Sequence, residues 1–312
     1  MMSSSRLVSI ILALVILSSL LVAPAPGITA AEAPIVVAKY YAWYDWNSWV
    51  PGQLADLPIE PYLSYERSTI ERHVKQARQA GVDVFSLNWL GAANPTDVNL
   101  QTLLSVANAQ GLGVTVDFDM NSPWVNNSGD VVNHLNYLKR YTNDKAWMRY
   151  RGRPVVFFYG NRRFEVGAWA AIREQVDPAG QFLWIGEGDI FSYLQVFDGI
   201  HPYSIAWAGD PASQLASYAQ RARSYPNRLW AATVMPGYDD TRTGRGAAGF
   251  ARARENGAYY RYVWEGAMAT RPDIIVITSW NEWAEGSHIE PSVTYGQLYL
   301  QLTRELVDRT KK

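Results

Sequence analysis

Towards the end of the chain two glutamates three residues apart, Glu282 and Glu285, stand among tryptophans in the run Ser279-Trp280-Asn281-Glu282-Trp283-Ala284-Glu285-Gly286-Ser287-His288. Paired carboxyls are what cleavage of a glycosidic bond needs, one to protonate the leaving oxygen and one to act at the anomeric side. Three residues apart they would point to opposite faces of a strand, but in a turn or a first helical turn both can face one pocket. Two like charges beside indole rings push one pKa up, which keeps one carboxyl protonated near neutral pH. The spacing alone is also that of a solvated helix face, so the position of the pair in the fold has to decide.

That position comes from the elements around it. Short β-rich apolar runs recur at residues 35–40, 82–87, 113–118, 154–158, 182–185, 199–201, 229–234 and 273–278. Amphipathic stretches lie between them, at residues 99–110, 131–141, 166–175, 212–223, 259–270 and 295–308. Another, opened by Ser68 with Glu71 as a capping box, ends at Gly81; only the interval between the fifth and sixth runs is too short for a full helix. Near-continuous apolar strands alternating with helices mean a parallel sheet buried on both faces, and eight such units close as a (β/α)8 TIM-type barrel. An open doubly wound sheet is the alternative, and no G-x-G-x-x-G or P-loop follows the first strand.

In such a barrel, functional groups come from the C-terminal ends of strands. Those positions hold Tyr41 and Tyr44, Trp89, Asp117 and Asp119, Glu187, His201 and Tyr203, Tyr238 and Asp239, then Trp280, Asn281, Trp283 and His288 around the glutamate pair. Sugar rings present apolar C–H faces and a rim of hydroxyls, so a mouth of aromatic rings and carboxylates suits them. Asn281 is placed to orient Glu282. Residues 241–254, rich in Arg and Gly, read as a mobile loop at the mouth.

The remaining composition excludes several classes. With 28 Lys+Arg against 29 Asp+Glu there is no electrostatic footprint for nucleic acid. With no cysteine and four scattered histidines, a thiolate site, a disulfide or a dedicated zinc site is not expected. Arg6, an apolar run at residues 7–22 and a small-residue stretch at 24–33 read as a secretory signal peptide over residues 1–31, leaving one domain at 34–312. The expectation is an exported or cell-envelope monomer acting on a polysaccharide or oligosaccharide, with no cofactor and no stable membrane insertion after cleavage.

Pro236-Gly237-Tyr238-Asp239-Asp240-Thr241, the segment from Thr278 to Pro291 and Tyr40-Tyr41-Ala42-Trp43-Tyr44 together resemble glycoside hydrolase family 99 and its wider group of family 99-like domains. The resemblance implies a metal-independent barrel acting as a retaining endo-α-mannosidase or α-mannanase. It implies that Glu282 is a base assisting attack by the substrate's own 2-hydroxyl, through an anhydro-sugar intermediate, and that Glu285 is the acid, then the base. Two positions depart from the pattern. Ala284 stands where members usually carry His, and Asp117-Phe118-Asp119-Met120-Asn121 where they usually show a His-x-Glu-Pro-Tyr type segment. Two alternatives therefore stay open: a non-catalytic carbohydrate-binding barrel, and a glycosidase of another polymer with Asp117, Asp119 or Glu187 as nucleophile.

Overall fold

Each apolar run becomes a strand, because segments of Val, Ile, Leu and Phe bounded by turn residues satisfy their backbones in a ladder while burying both faces. The strands are β1 (Ile35–Tyr40), β2 (Val84–Trp89), β3 (Gly113–Asp119), β4 (Arg153–Tyr159), β5 (Leu183–Glu187), β6 (Gly199–His201), β7 (Leu229–Val234) and β8 (Ile274–Ile277). They pair in parallel in the order β3-β2-β1-β8-β7-β6-β5-β4. Pairing of Asp117 with Phe157 through Asp119 with Tyr159 joins β3 to β4 and closes the ring. The fold is the expected (β/α)8 barrel, and closure removes the open-sheet alternative. The computed structural model describes residues 33–312, so the expected leader at 1–31 lies outside the described residues.

Outside the ring run α1 (Arg67–Gln79), α2 (Pro95–Gln110), α3 (Ser128–Leu138), α4 (Val166–Val176), α5 (Pro211–Arg223), α6 (Ala258–Ala269) and α7 (Leu298–Thr310). The short interval after β5 holds only a 3-10 turn, Phe191–Gln195. Helix starts are set by side chains that accept otherwise unsatisfied N–H groups. Asn94 accepts from Thr96 N, with Pro95 in the first turn; Asn127 and Asp130 form a capping box; Asp210 accepts from Ala212 and Ser213. These caps start α2 and α3 earlier than the apolar pattern indicated. The Ser68 capping box does not form: Ser68 lies inside α1, whose first turn follows Glu66, and Glu71 takes its bond from Arg67 Nε at 2.8 Å.

Side chains alternate between two layers. Val37, Val84, Val155, Phe157, Ile185, Ala231 and Val276 fill the lumen as one cluster, while Val36, Phe85, Leu87, Trp89, Phe118 and Ile277 pack outward beneath the helices. Two residues above Val37, Lys39 therefore also points inward, and its ammonium lies 2.6 Å from Asp117 on β3 and 5.0 Å from the Phe157 ring centroid on β4. Among the described residues no helix is long and apolar enough to cross a membrane.

Candidate active site

The glutamate pair sits on a tight turn directly after β8. Ser279 N donates to Ser287 O at 2.9 Å, Glu282 N to Ser279 Oγ at 2.7 Å and Trp280 N to Lys39 O at 2.8 Å. Gly286 takes φ +55°, and a Cβ there would meet Ala55 Cβ at 3.1 Å and Asp239 backbone atoms at 3.2 Å, so glycine alone fits. Asn281 accepts from Tyr41 N at 2.7 Å and donates to Tyr41 O at 2.8 Å and Tyr62 Oη at 3.0 Å. It thus clamps the end of β1 to the turn that carries Glu282, rather than bonding the carboxylate. Tyr44 completes the clamp, its hydroxyl donating to Asn281 O at 2.8 Å and accepting from Trp283 N at 3.1 Å.

The carboxyls differ in their surroundings. Glu285 Oε2 accepts from Tyr203 Oη at 2.9 Å, Tyr203 is 2.9 Å from Tyr41 Oη, and Arg245 Nη2 lies 3.3 Å from Glu285 Oε1. Burial pushes Glu285 above the usual carboxylate range, opposed by the bond from Tyr203, the charge of Arg245 and the nearby Tyr238 hydroxyl. Glu282 is 6% exposed, and burial, then the charge of Glu285, hold it well above that range, with only the Ala284 N–H opposing. Both carboxylates act on the Tyr41 and Tyr203 phenols, which puts them at one pocket. Of the two, Glu285 has the donors that stabilise a negative charge.

A second acidic set lies on the strand ends across the mouth. Burial pushes Asp119 up to about 6, against bonds from Asn121 N and Asn88 Nδ2. Burial also raises Glu187, with the Arg162 charge opposing. Below them burial lowers Lys39, while Asp117 at 2.6 Å, Glu187 and Asp119 favour its charged form. With Lys39 in contact, Asp117 is a buried ion-pair partner and not a free nucleophile. Among the described residues no three of His, Cys, Asp and Glu are grouped so as to hold a metal ion.

Several expected sugar contacts lie elsewhere. Trp89 is fully buried on the outer face of β2, with Nε1 bonded to Asp97 on α2 at 3.1 Å. Trp280 packs against Phe85 and His73, and Trp283 stacks on His288 with ring centroids 3.9 Å apart, so none of these indoles presents a free face. His288 turns towards Asp56, and His201 is buried in the lumen 3.5 Å from Lys39 Nζ. Asp239 bonds Thr241 and Arg242 in its own loop, whereas Tyr238, stacked on Phe250 and donating to Asp240, stays at the pocket beside Glu285. Residues 251–252 pair with 238–239, so part of the stretch expected to be a mobile loop is held in a two-stranded ladder.

The exposed indoles are Trp43 and Trp46 in the loop after β1, Trp124 after β3 and Trp207 after β6, at 41, 61, 44 and 52% exposure. Sequence reasoning also left out Lys39, although a lysine inside an otherwise apolar strand was the signal for it. Equally unassigned was the buried relay behind the turn, in which Tyr62 donates to Glu290 at 2.9 Å and Glu290 meets His73 at 2.8 Å.

The family model described as Glycosyl hydrolase family 99 matches residues 57–303, which takes in the end of the loop after β1, every later strand and the glutamate turn. The chain belongs to this family. Over 89% of its length it is 28% identical to glycoprotein endo-alpha-1,2-mannosidase from Rattus norvegicus, covering 75% of that protein. To the Mus musculus protein of the same name it is also 28% identical, spanning 80% of this chain and 62% of that one, so it is shorter than both relatives. The solved family 99 endo-alpha-mannosidase from Bacteroides thetaiotaomicron superposes with a TM-score of 0.78 at 26% identity, covering 89% of this chain and 97% of that one. This family 99 barrel is accordingly a glycosidase of the endo-α-mannosidase-like type.

Proposed function

We propose that the protein is an exported, endo-acting and retaining glycosidase of α-linked, mannan-like polysaccharide or glycan, with Glu282 as base and Glu285 as acid/base. The observation that carries this is the turn after β8, which brings two buried carboxyls to one pocket; which is base and which is acid follows the family resemblance, and the donors from Tyr203 and Arg245 suit the carboxylate that Glu285 becomes once its proton has left. The relatives' names supply the α-mannoside class, and the leader-like residues 1–31 supply export.

In the first half-reaction Glu285 gives its proton to the glycosidic oxygen. The C1–O bond breaks with its electron pair passing to that oxygen, while the 2-hydroxyl oxygen bonds C1 and yields its proton to Glu282. In the second, the Glu285 carboxylate takes a proton from water, the water oxygen bonds C1, and the C1–O2 bond opens as Glu282 returns its proton to O2. Two inversions at C1 give net retention. Tyr203 holds Glu285 Oε2, and the Asn281 clamp fixes the turn that carries Glu282.

Loss of a proton-transfer group costs about 100- to 10,000-fold in rate. Glu285→Gln, assayed on α-mannan oligosaccharides with a natural leaving group, is therefore expected to lose turnover on that scale while keeping its melting temperature and ligand binding. Wild-type turnover surviving in that variant would reject the role given to Glu285. Binding without product from wild type and variant alike would instead support a carbohydrate-binding barrel.

A further inference from the structure

Glu285 has neutral phenol donors, but among the described residues one cation is bonded to it. Arg245 Nη2 is 3.3 Å from Glu285 Oε1, and Arg245 Nη1 is 2.7 Å from Asp240 Oδ2 and 3.4 Å from Tyr238 Oη. Asp240 is fully buried at the root of the 241–249 loop, where it also accepts from Tyr238 Oη at 3.0 Å and Phe250 N at 2.7 Å. The loop thus holds a guanidinium between a fixed carboxylate anchor and the acid/base, and the Arg245 side chain is itself 50% exposed. The other charged or titratable groups facing Glu285 are Tyr203, Tyr41, Tyr159, Tyr238, Asp240 and Glu282.

We propose that Arg245 is a positioning residue for the acid/base: held by Asp240, it is the counter-cation for the carboxylate that Glu285 becomes when its proton passes to the leaving oxygen. This rests on the function proposed above and adds a residue to it. Negative charge appears on Glu285 in the first half-reaction and persists until water is deprotonated, so a cation fixed in advance stabilises both barriers flanking the intermediate. Asp240 is nearer to the guanidinium than Glu285 is, and its part is to aim the cation rather than to compete for substrate.

Removing the cation destabilises ionised Glu285. An Arg–carboxylate contact lowers a carboxyl pKa by about 1 to 3 when buried, and less when solvent screens it. In Arg245→Gln the kcat/KM profile is therefore expected to move to higher pH by about half a pH unit to one pH unit, with a lower kcat. Arg245→Lys, which keeps the charge, should restore most of the position of the profile. Arg242→Gln, which removes the same charge from the same loop where Arg242, among the described residues, pairs with Asp239 at 3.3 Å, should leave the profile in place. A profile for Arg245→Gln superimposable on wild type, or an equal displacement in Arg242→Gln, overturns the proposal. If the wild type turns over no glycan, the functional reading fails on its own. The role of Arg245 is then read from 13C NMR titration of labelled Glu285, which titrates higher in Arg245→Gln if the assignment holds and unchanged if it does not.

Discussion

Asp119 shows what burying a carboxylate at the mouth does to stability. Its folded-state pKa of about 6 lies above the ordinary Asp value, so between roughly pH 4 and pH 6 the folded protein binds more protons than the unfolded chain and stability falls as pH rises. Above pH 6 the cost is fully present. Asp119→Asn is expected to raise the melting temperature at pH 8 by a few degrees and to leave it unchanged at pH 4, as read by calorimetry. A gain at both pH values would deny that the ionised carboxylate is the cause. At this scale the place of the glutamate pair at the barrel mouth was legible because its types, spacing and position after the last strand agree. The tryptophans were misread because position along a strand does not give direction. Counting by twos from Val84 sends Asn88 to the lumen and Trp89 to the helices, which is where they lie. Trp280 and Trp283 flank Glu282 in sequence, yet both are folded behind it, because a turn that presents its carboxylates to the pocket turns the intervening side chains into the wall.

Element by element, strands were read more closely than helix starts. A strand announces itself by an unbroken apolar run, whereas a helix begins at a cap that carries no hydrophobic signal. Asn94 and Asn127 supply those caps, and Ser68, which has the capping-box sequence, is two residues too late to act as one. Losing an N-cap side chain costs on the order of 1 kcal/mol, while an exposed serine inside a helix costs nothing when replaced by alanine. Urea unfolding should therefore show Asn94→Ala destabilised by about 1 kcal/mol and Ser68→Ala equal to or slightly above wild type. The reverse order would restore Ser68 as the cap.

For the molecule as a whole, the barrel lumen changes character over two residues of each strand. Below is the aliphatic plug of Val37, Val84, Val155 and Val276; above it sit Lys39, Asp117 and His201, and above those the carboxylates and phenols of the mouth. The barrel was legible from strand count and spacing, but this polar middle layer was not, since one lysine and one aspartate on different strands reveal their pairing only after the ring has closed. Removing one partner of a buried pair costs about 3 to 5 kcal/mol by stranding the other charge, whereas replacing both with apolar residues is often neutral. Lys39→Met should be destabilised on that scale and Lys39→Met with Asp117→Leu should recover most of the loss. Equal loss in single and double variants would mean that packing, not charge, is at stake. Above this layer the proposed chemistry rests on the turn after β8, and the most direct test follows the first product of wild-type protein and of Glu285→Gln on α-mannan oligosaccharides by 1H NMR. Release of internal oligosaccharide with the α-anomer appearing first, from wild type alone, is the expected result. A β-anomer appearing first, or product released equally by Glu285→Gln, would contradict it.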